Sequence, residues 1–243
     1  MNANRRRTLG VIAALGLVTT PLVACASASL SDDFFTAIIR DNASSIQSML
    51  QRGFDPNIRN AAGQPPLIFA LQQGSLKAFD ALLQSKKINV ELRNKKDESA
   101  LMIASIQGNL DAAKTLIARG GDVNKTGWTP LHYAASCTTD NAVPMIQLLL
   151  ENYAYIDAAS PNATTPLMMA VRYGTGDAAR LLIAEGADPA LKNDKGLTAV
   201  EFAKQAERND MAEAVAEAIR KRKPVQQRST WCSDNAVGQG LNA

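Results

Sequence analysis

An all-α array of stacked helix pairs, each pair followed by a projecting loop, is the architecture that this 243-residue sequence predicts. Three observations point to it. The sequence resembles itself at a period near 33 residues, the mark of a repeat architecture. Hydrophobic residues make up 46% of the chain but aromatics only 5%, so the interior is built from Leu, Ile and Ala, as close helix-on-helix packing requires. Helix start and stop signals also return at fixed phases of the period: Thr-Pro ahead of one apolar run, and Gly behind another. On length alone, one compact core and one repeat array are both open. The periodicity decides between them.

The first recurring block runs Pro66-Leu67-Ile68-Phe69-Ala70, Ala100-Leu101-Met102-Ile103-Ala104, Pro130-Leu131-His132-Tyr133-Ala134, Pro166-Leu167-Met168-Met169-Ala170 and Ala199-Val200-Glu201-Phe202-Ala203. Its aligned positions Leu67, Leu101, Leu131, Leu167 and Val200 are 34, 30, 36 and 33 residues apart. A second block recurs out of phase in Met49 to Asn57, Leu116 to Asn124 and Leu182 to Pro189. With this period and these blocks, residues 31–220 resemble the ankyrin repeat, and Thr129-Pro130-Leu131-His132-Tyr133-Ala134-Ala135 is nearly that family's consensus. The resemblance implies a solenoid of about five to six repeats, end caps included.

Each element has a local reason. Thr129 and Thr165 offer hydroxyls to a helix N-terminus, and Pro130 and Pro166 then occupy the first helical position, where no N–H is missed. Apolar residues at three- and four-residue spacing, as in Ala112, Leu116 and Ile117 or Ala178, Leu181 and Leu182, give the second helix one buried stripe. Gly53, Gly120 and Gly186 stand where a helix ends in a left-handed residue, and Asp55, Asp122 and Asp188 open the turn-rich connection. The departures have positions too. The first repeat, from Ser31 to about Ala62, is recognisable mainly by its second half. Gln64-Pro65-Pro66 lacks a capping hydroxyl, and the loop Asn124-Lys125-Thr126-Gly127-Trp128 is shortened. About three extra residues surround Cys137-Thr138-Thr139-Asp140-Asn141, and Tyr153 replaces the usual Gly. Met211 to Arg220 is a charged helix fit to face water as the last cap.

The two ends read differently. Arg5-Arg6-Arg7, the apolar run Leu9 to Val18 and the small residues Ala24-Cys25-Ala26-Ser27-Ala28 follow the order of a secretory signal peptide, so residues 1–28 are expected to be cleaved on export. Leu22-Val23-Ala24-Cys25 resembles a bacterial lipobox, which makes Cys25 a lipidation candidate; ordinary cleavage at the Ala-x-Ala sequences is the alternative. The expected location is the periplasm, either soluble or lipid-anchored. Cys137 and Cys232 remain as a candidate disulfide in that oxidising compartment. Residues 221–243 read as a basic and then polar flexible tail. Without the three leader arginines, 23 basic residues face 23 acidic ones, so nucleic acid is not an expected partner.

Little here points to catalysis. His132 is the single histidine, which excludes cages of several histidines, and its place in the repeat implies a structural hydrogen bond. Gly174-Thr175-Gly176-Asp177 mimics a dinucleotide loop but follows a helix, so it reads as the turn within a repeat. No cofactor and no metal site are expected. The resemblance implies a monomeric, non-catalytic scaffold of the bacterial cell envelope that binds a protein partner through loop tips and first helices. The contact positions it assigns are Gln72, Gln73, Lys95, Lys96, Glu98, Trp128, Arg172, Tyr173, Asp194 and Lys195, with Ala61, Ala62, Gln64, Ile106, Gln107, Ser136, Cys137, Asn162, Thr164 and Leu197 beside them. The rival readings are a secreted bacterial effector acting on host proteins and a redox or thiol protein using Cys137. Intact mass of the protein purified from the producing cell tests the export reading. A start at Cys25 with added acyl mass, or an unmodified start at Ser27 or Ser29, is the expected outcome, and retained Met1 contradicts it.

Overall fold

The structure, a computed structural model, describes residues 22–221, with side chains described from Leu30 onward. The candidate lipidation side chain of Cys25, Cys232 and the polar tail beyond Lys221 lie outside the described side chains. The chain divides after Asn89 into two compact units. Among the described residues all regular structure is helical, and no helix is long and apolar enough to cross a membrane.

The first unit holds two helix pairs. Helix α1 (Leu22–Ile39) begins within the stretch that the sequence assigns to the leader, and it is followed by α2 (Ala43–Gln51), α3 (Pro66–Gln73) and α4 (Leu76–Leu83). Five of the six phenylalanines lie here. Phe34 sits 4.7 Å from Phe54, and Phe35 meets Phe69 edge-on at 5.5 Å, so aromatic contact holds the terminal pair to its neighbour. Phe34, Ile38, Ile46, Ile68, Leu71, Phe79 and Leu82 are buried between the helices. The sequence expectation for α3 holds: Pro65 occupies the N-cap and makes no side-chain cap.

The second unit holds four pairs: α5 (Ala100–Gln107) with α6 (Leu110–Ala118), α7 (Pro130–Ala135) with α8 (Ala142–Glu151), α9 (Pro166–Tyr173) with α10 (Gly176–Ala184), and α11 (Ala199–Gln205) with α12 (Asn209–Lys221). First helices pack on the first helices of adjacent pairs, and second helices on second helices. Ala100, Ala104, Ala134, Ala135, Ala170, Ala199 and Ala203 are buried in the first helices, where a small side chain lets backbones approach. The second helices bury one stripe each, such as Met145, Ile146 and Leu149 in α8 or Met211, Ala212 and Val215 in α12, and turn charged residues outward.

Close approach also explains one glycine. Gly174, at the C-terminal end of α9, has an ordinary φ of −84°, so backbone strain is not its reason. A Cβ there would lie 2.0 Å from the Ala135 carbonyl oxygen at the end of α7. Arg208 closes the same end from the next pair, donating to the carbonyls of Gly174 at 2.7 Å, Val171 at 3.1 Å and Ala170 at 3.3 Å. The dinucleotide-like motif is thus the turn between α9 and α10, shaped by packing.

His132 is fully buried, and its hydrogen bonds fix its tautomer. Nε2 lies 2.9 Å from the Thr164 carbonyl of the next pair and must donate to it. Nδ1 therefore accepts, from the Thr129 backbone N–H at 3.2 Å and the Thr129 hydroxyl at 2.9 Å. The imidazole at the third helical position thus closes a capping box with Thr129 at the expected start of α7. At α9, where Met168 stands in that position, Thr165 accepts from the Met168 N–H at 3.4 Å.

A side-chain ladder, which no sequence block revealed, ties each connecting loop to the next. In the first unit Asn57 donates to the Lys87 carbonyl at 2.8 Å and accepts from the Asn89 N–H at 2.8 Å. In the second, Glu91 accepts from the Asp122 N–H, Asn124 from that of Tyr155, and Asp157 from that of Asp188, at 2.8 to 2.9 Å. These four acceptors recur at spacings of 34, 33 and 33, so they are one position of the repeat.

Two outcomes follow from this packing. Gly174→Ala should destabilise the fold by about 1–3 kcal/mol, the usual cost of overfilling a tight contact, seen as a lower urea midpoint; an unchanged midpoint would show that α7 and α9 separate freely. His132 concerns pH. Burial, against the pull of the Thr164 and Ala158 carbonyls, lowers its pKa from 6.5 to about 4. The unfolded chain then takes up a proton below pH 6.5 that the folded chain refuses until about pH 4, so stability falls as pH drops through that window. Relative to His132→Asn, the wild-type chain should lose about 2 kcal/mol between pH 7 and pH 5, measured by urea titration at both values.

Candidate protein-binding surface

The second unit carries a recess of about 460 Å³ across the ends of α5, α7 and α9, beneath residues of the connecting loops. Its lining comes from Ile106 on α5, His132, Tyr133 and Ser136 on or just after α7, Met169 and Tyr173 on α9, and Glu98 and Trp128 from the loops. The repeat produces this: residues four apart, Met169 and Tyr173 or His132 and Ser136, stand above one another on a helix and line one wall. Ile106 is 41% and Tyr173 52% exposed, so large apolar side chains face solvent here.

A second recess, of about 260 Å³, shares Trp128, Met169 and Tyr173 with the first and adds Arg172, Asn193, Lys195, Phe202 and Gln205. The Arg172 guanidinium lies 5.2 Å from the centre of the Tyr173 ring and 5.7 Å from that of Phe202, and donates to Gln205 at 3.2 Å. Flanked by two rings and a side-chain amide, it is held for contact.

The shortened loop positions Trp128. Lys125, only 4% exposed, turns inward, pairs with Asp97 of the preceding loop and donates to the Thr126 carbonyl at 3.0 Å. The hydrogen bond from Lys125 is the largest influence holding the Asp97 carboxyl below its ordinary pKa. Gly127, at φ 84°, reverses the chain against Pro161, and Trp128 comes down half-buried with its ring 5.2 Å from that of His132, edge to face. Trp128 is therefore at once packed on the buried histidine and part of both recesses. At the rim Tyr133 donates to Glu98 at 2.9 Å, and burial, with that carboxylate beside it, keeps the phenol protonated well above its usual range.

Of the contact residues expected from the sequence, Glu98, Trp128, Arg172, Tyr173 and Lys195 meet at these two recesses. Lys95 and Lys96 are exposed at the loop tip before α5, and Asp194, also exposed, donates its N–H to the Asn162 carbonyl of the preceding loop at 3.2 Å. Gln72 and Gln73 are exposed in the first unit, where Gln72 accepts from Gln64 at 2.6 Å. Of the neighbouring positions, Ile106 and Ser136 line the first recess and Asn162, Thr164 and Leu197 the second, while Cys137 is corrected: it is buried, its thiol packed beneath the inserted loop, 3.2 Å from the Thr139 hydroxyl. The Cys137 thiol has no opening to an outside substrate. Tyr133, Met169, Phe202 and Gln205 were not expected in the recesses; their spacing from the recurring Leu would have placed them on the same helix face. Among the described residues no group of His, Cys, Asp and Glu is placed to hold a metal ion.

The comparisons with known proteins agree with this architecture. A family model described as ankyrin repeats (3 copies) matches residues 34–126 and 86–160, and one described as ankyrin repeats (many copies) matches residues 153–203. The nuclear factor NF-kappa-B p105 subunit of Gallus gallus is 34% identical over 172 residues, 68% of this chain and 17% of that protein. The B-cell lymphoma 3 protein homolog of Mus musculus is 29% identical over 164 residues, 65% of this chain and 36% of that protein. The chain thus spans well under half the length of these curated relatives. Among solved structures, a complex of the Bd0816 predatory endopeptidase from Bdellovibrio bacteriovorus with the immunity protein Bd3460 matches with a TM-score of 0.65 and 31% identity, covering 76% of this chain and 96% of the matched chain. By period, by fold and by these matches, the chain belongs to the ankyrin-repeat family.

Proposed function

We propose that this chain is a non-catalytic binding protein of the bacterial cell envelope that holds a protein partner against the loop tips and first helices of its second unit. The observation that carries the reading is the pair of adjoining recesses that share Trp128 and Tyr173, with Arg172 in the second. Side chains of these types dominate the energetics of protein interfaces. The one histidine is locked in a structural role, which supports binding over turnover. The signal-like N-terminus supports the envelope. The matched complex unites an endopeptidase with an immunity protein, which makes a peptidase the partner class to test first.

The test is capture from the envelope fraction of the producing organism with the full chain as bait, comparing Trp128→Ala and Tyr173→Ala with Lys114→Ala and Arg180→Ala on the second helices. The first two should each weaken capture at matched folding, by about 2 kcal/mol where the side chain fills a pocket on the partner. The second two should leave it unchanged. Equal losses from both sets, or losses only from the second, would contradict this surface. Captured peptidase should lose activity when wild-type chain is added and keep it with Trp128→Ala.

A further inference from the structure

The smaller recess, which Trp128, Arg172, Lys195 and three side-chain amides help to line, has a one-sided hydrogen-bonding inventory. Its amide oxygens are spent within the chain. Asn193 accepts through its side-chain oxygen from the backbone N–H of Lys195 and of Leu197, both at 3.0 Å. Asn162 accepts from the Ser160 hydroxyl at 2.6 Å, and Gln205 accepts from Arg172 at 3.2 Å. An amide whose oxygen is engaged still has two N–H donors to offer. Those of Asn162, Asn193 and Gln205 make no hydrogen bond to the described residues, nor does the Trp128 indole N–H, which only donates. Asn193 is the telling case, being only 7% exposed. Among the described residues no side-chain nitrogen is both buried and unpartnered, so the Asn193 amide reaches the surface at the recess it lines.

The charges lean the same way. Arg172 and Lys195 line this recess, and no aspartate or glutamate does. Among the described residues no carboxylate pairs with either cation. Arg172 spends one hydrogen bond on Gln205 and is flanked by the Tyr173 and Phe202 rings, which leaves most of its fork of donors unused. Asp194, next to Lys195 in the chain, is exposed and outside the lining. The one carboxylate in the two linings is Glu98, in the larger recess, and both its oxygens are engaged: Oε1 by Tyr133 at 2.9 Å and Oε2 by Asn94 at 2.6 Å. An acidic group is therefore repelled from the larger recess and attracted to the smaller one.

We propose that the smaller recess binds an aspartate or glutamate side chain of the protein partner, with Arg172 as its main contact and Lys195 and Asn193 beside it. The proposal rests on the reading that this surface holds a protein partner, and it adds the chemistry of the segment held. Charge complementarity selects the occupant. A basic side chain would meet two cations, and an apolar one would leave the donors unpaired, whereas a carboxylate accepts from a guanidinium fork at two oxygens.

The probes are peptides acetylated at one end and amidated at the other, reading Leu, none to three alanines, then Glu, together with their Gln counterparts. They are titrated into the isotope-labelled full chain, and NMR follows the Trp128 indole N–H, the Arg172 Nε–H and the Asn193 side-chain amide. At least one Glu peptide should move these signals and bind about tenfold more tightly than its Gln counterpart. Arg172→Gln should remove that preference, Lys195→Gln should reduce it severalfold, and Lys114→Gln on α6 should leave it intact. Melting temperatures are measured alongside. Lys195 is exposed, so its variant keeps the test decisive if Arg172→Gln disturbs the fold. Equal affinity for Glu and Gln peptides, a preference that survives both substitutions, or no binding of any Glu peptide at millimolar concentration would overturn the proposal. Two more arms replace Glu by phosphoserine, or leave the Gln peptide with a free C-terminal carboxylate. Tighter binding than Glu in either arm would assign the recess to a phosphate or a chain terminus and overturn the side-chain claim. Capture that depends on Trp128 without a Glu preference keeps the surface and removes its selectivity for acid; a Glu preference without a captured partner does the reverse.

Discussion

A helix of six to ten residues does not hold itself together in water. Nucleation is costly, and isolated helices shorter than about 12–15 residues are marginal even in favourable sequences. The helices of the second unit before α12 span only six to ten residues, α7 being the shortest. Their persistence therefore rests on the stripe of Ala, Leu, Met and Ile that each presents to an adjacent pair. No pair closes its own core, and every local device acts on surfaces that exist only because a neighbour is stacked against them.

That dependence accounts for where polar side chains do structural work. The ladder of Asn57, Glu91, Asn124 and Asp157, the His132 bond to Thr164 and the Arg208 bonds to the end of α9 all join one pair to the next. A hydrogen bond within a pair stabilises a helix end. One between pairs also sets the distance and register of the stack. The His132 ring does so while held neutral in a buried site, which ties the stack to pH through a group that makes no contact with solvent.

The irregular features gather where the shortened loop stands. Lys125 folds inward, and its charge is met by Asp97 of the preceding loop. A buried ion of this kind is a poor source of net stability but a strong determinant of one arrangement. Here it sets the loop from which Trp128 descends between the two recesses. The ladder residue that precedes it, Asn124, donates to the Tyr153 carbonyl and accepts from the Tyr155 N–H, so the same loop also joins one pair to the next.

The sequence by itself determined the repeat, the helix pairs, the positions of the recurring Leu and the left-handed glycines at helix ends. These are local properties, written in periods of three to four and of 33 residues and in backbone preferences that single residues carry. It also pointed to Glu98, Trp128, Arg172, Tyr173 and Lys195 as surface residues, because the repeat assigns each position a facing. What it left undecided depends on contacts between residues 28 to 39 apart. Which nitrogen of His132 carries the proton, why Gly174 tolerates no Cβ, where Lys125 points, and that Cys137 is shut away are all settled by which backbone lies against which. The recesses themselves are spaces between pairs, and a space has no residue pattern of its own: Tyr133, Met169, Phe202 and Gln205 line them only because the stack brings neighbouring first helices side by side.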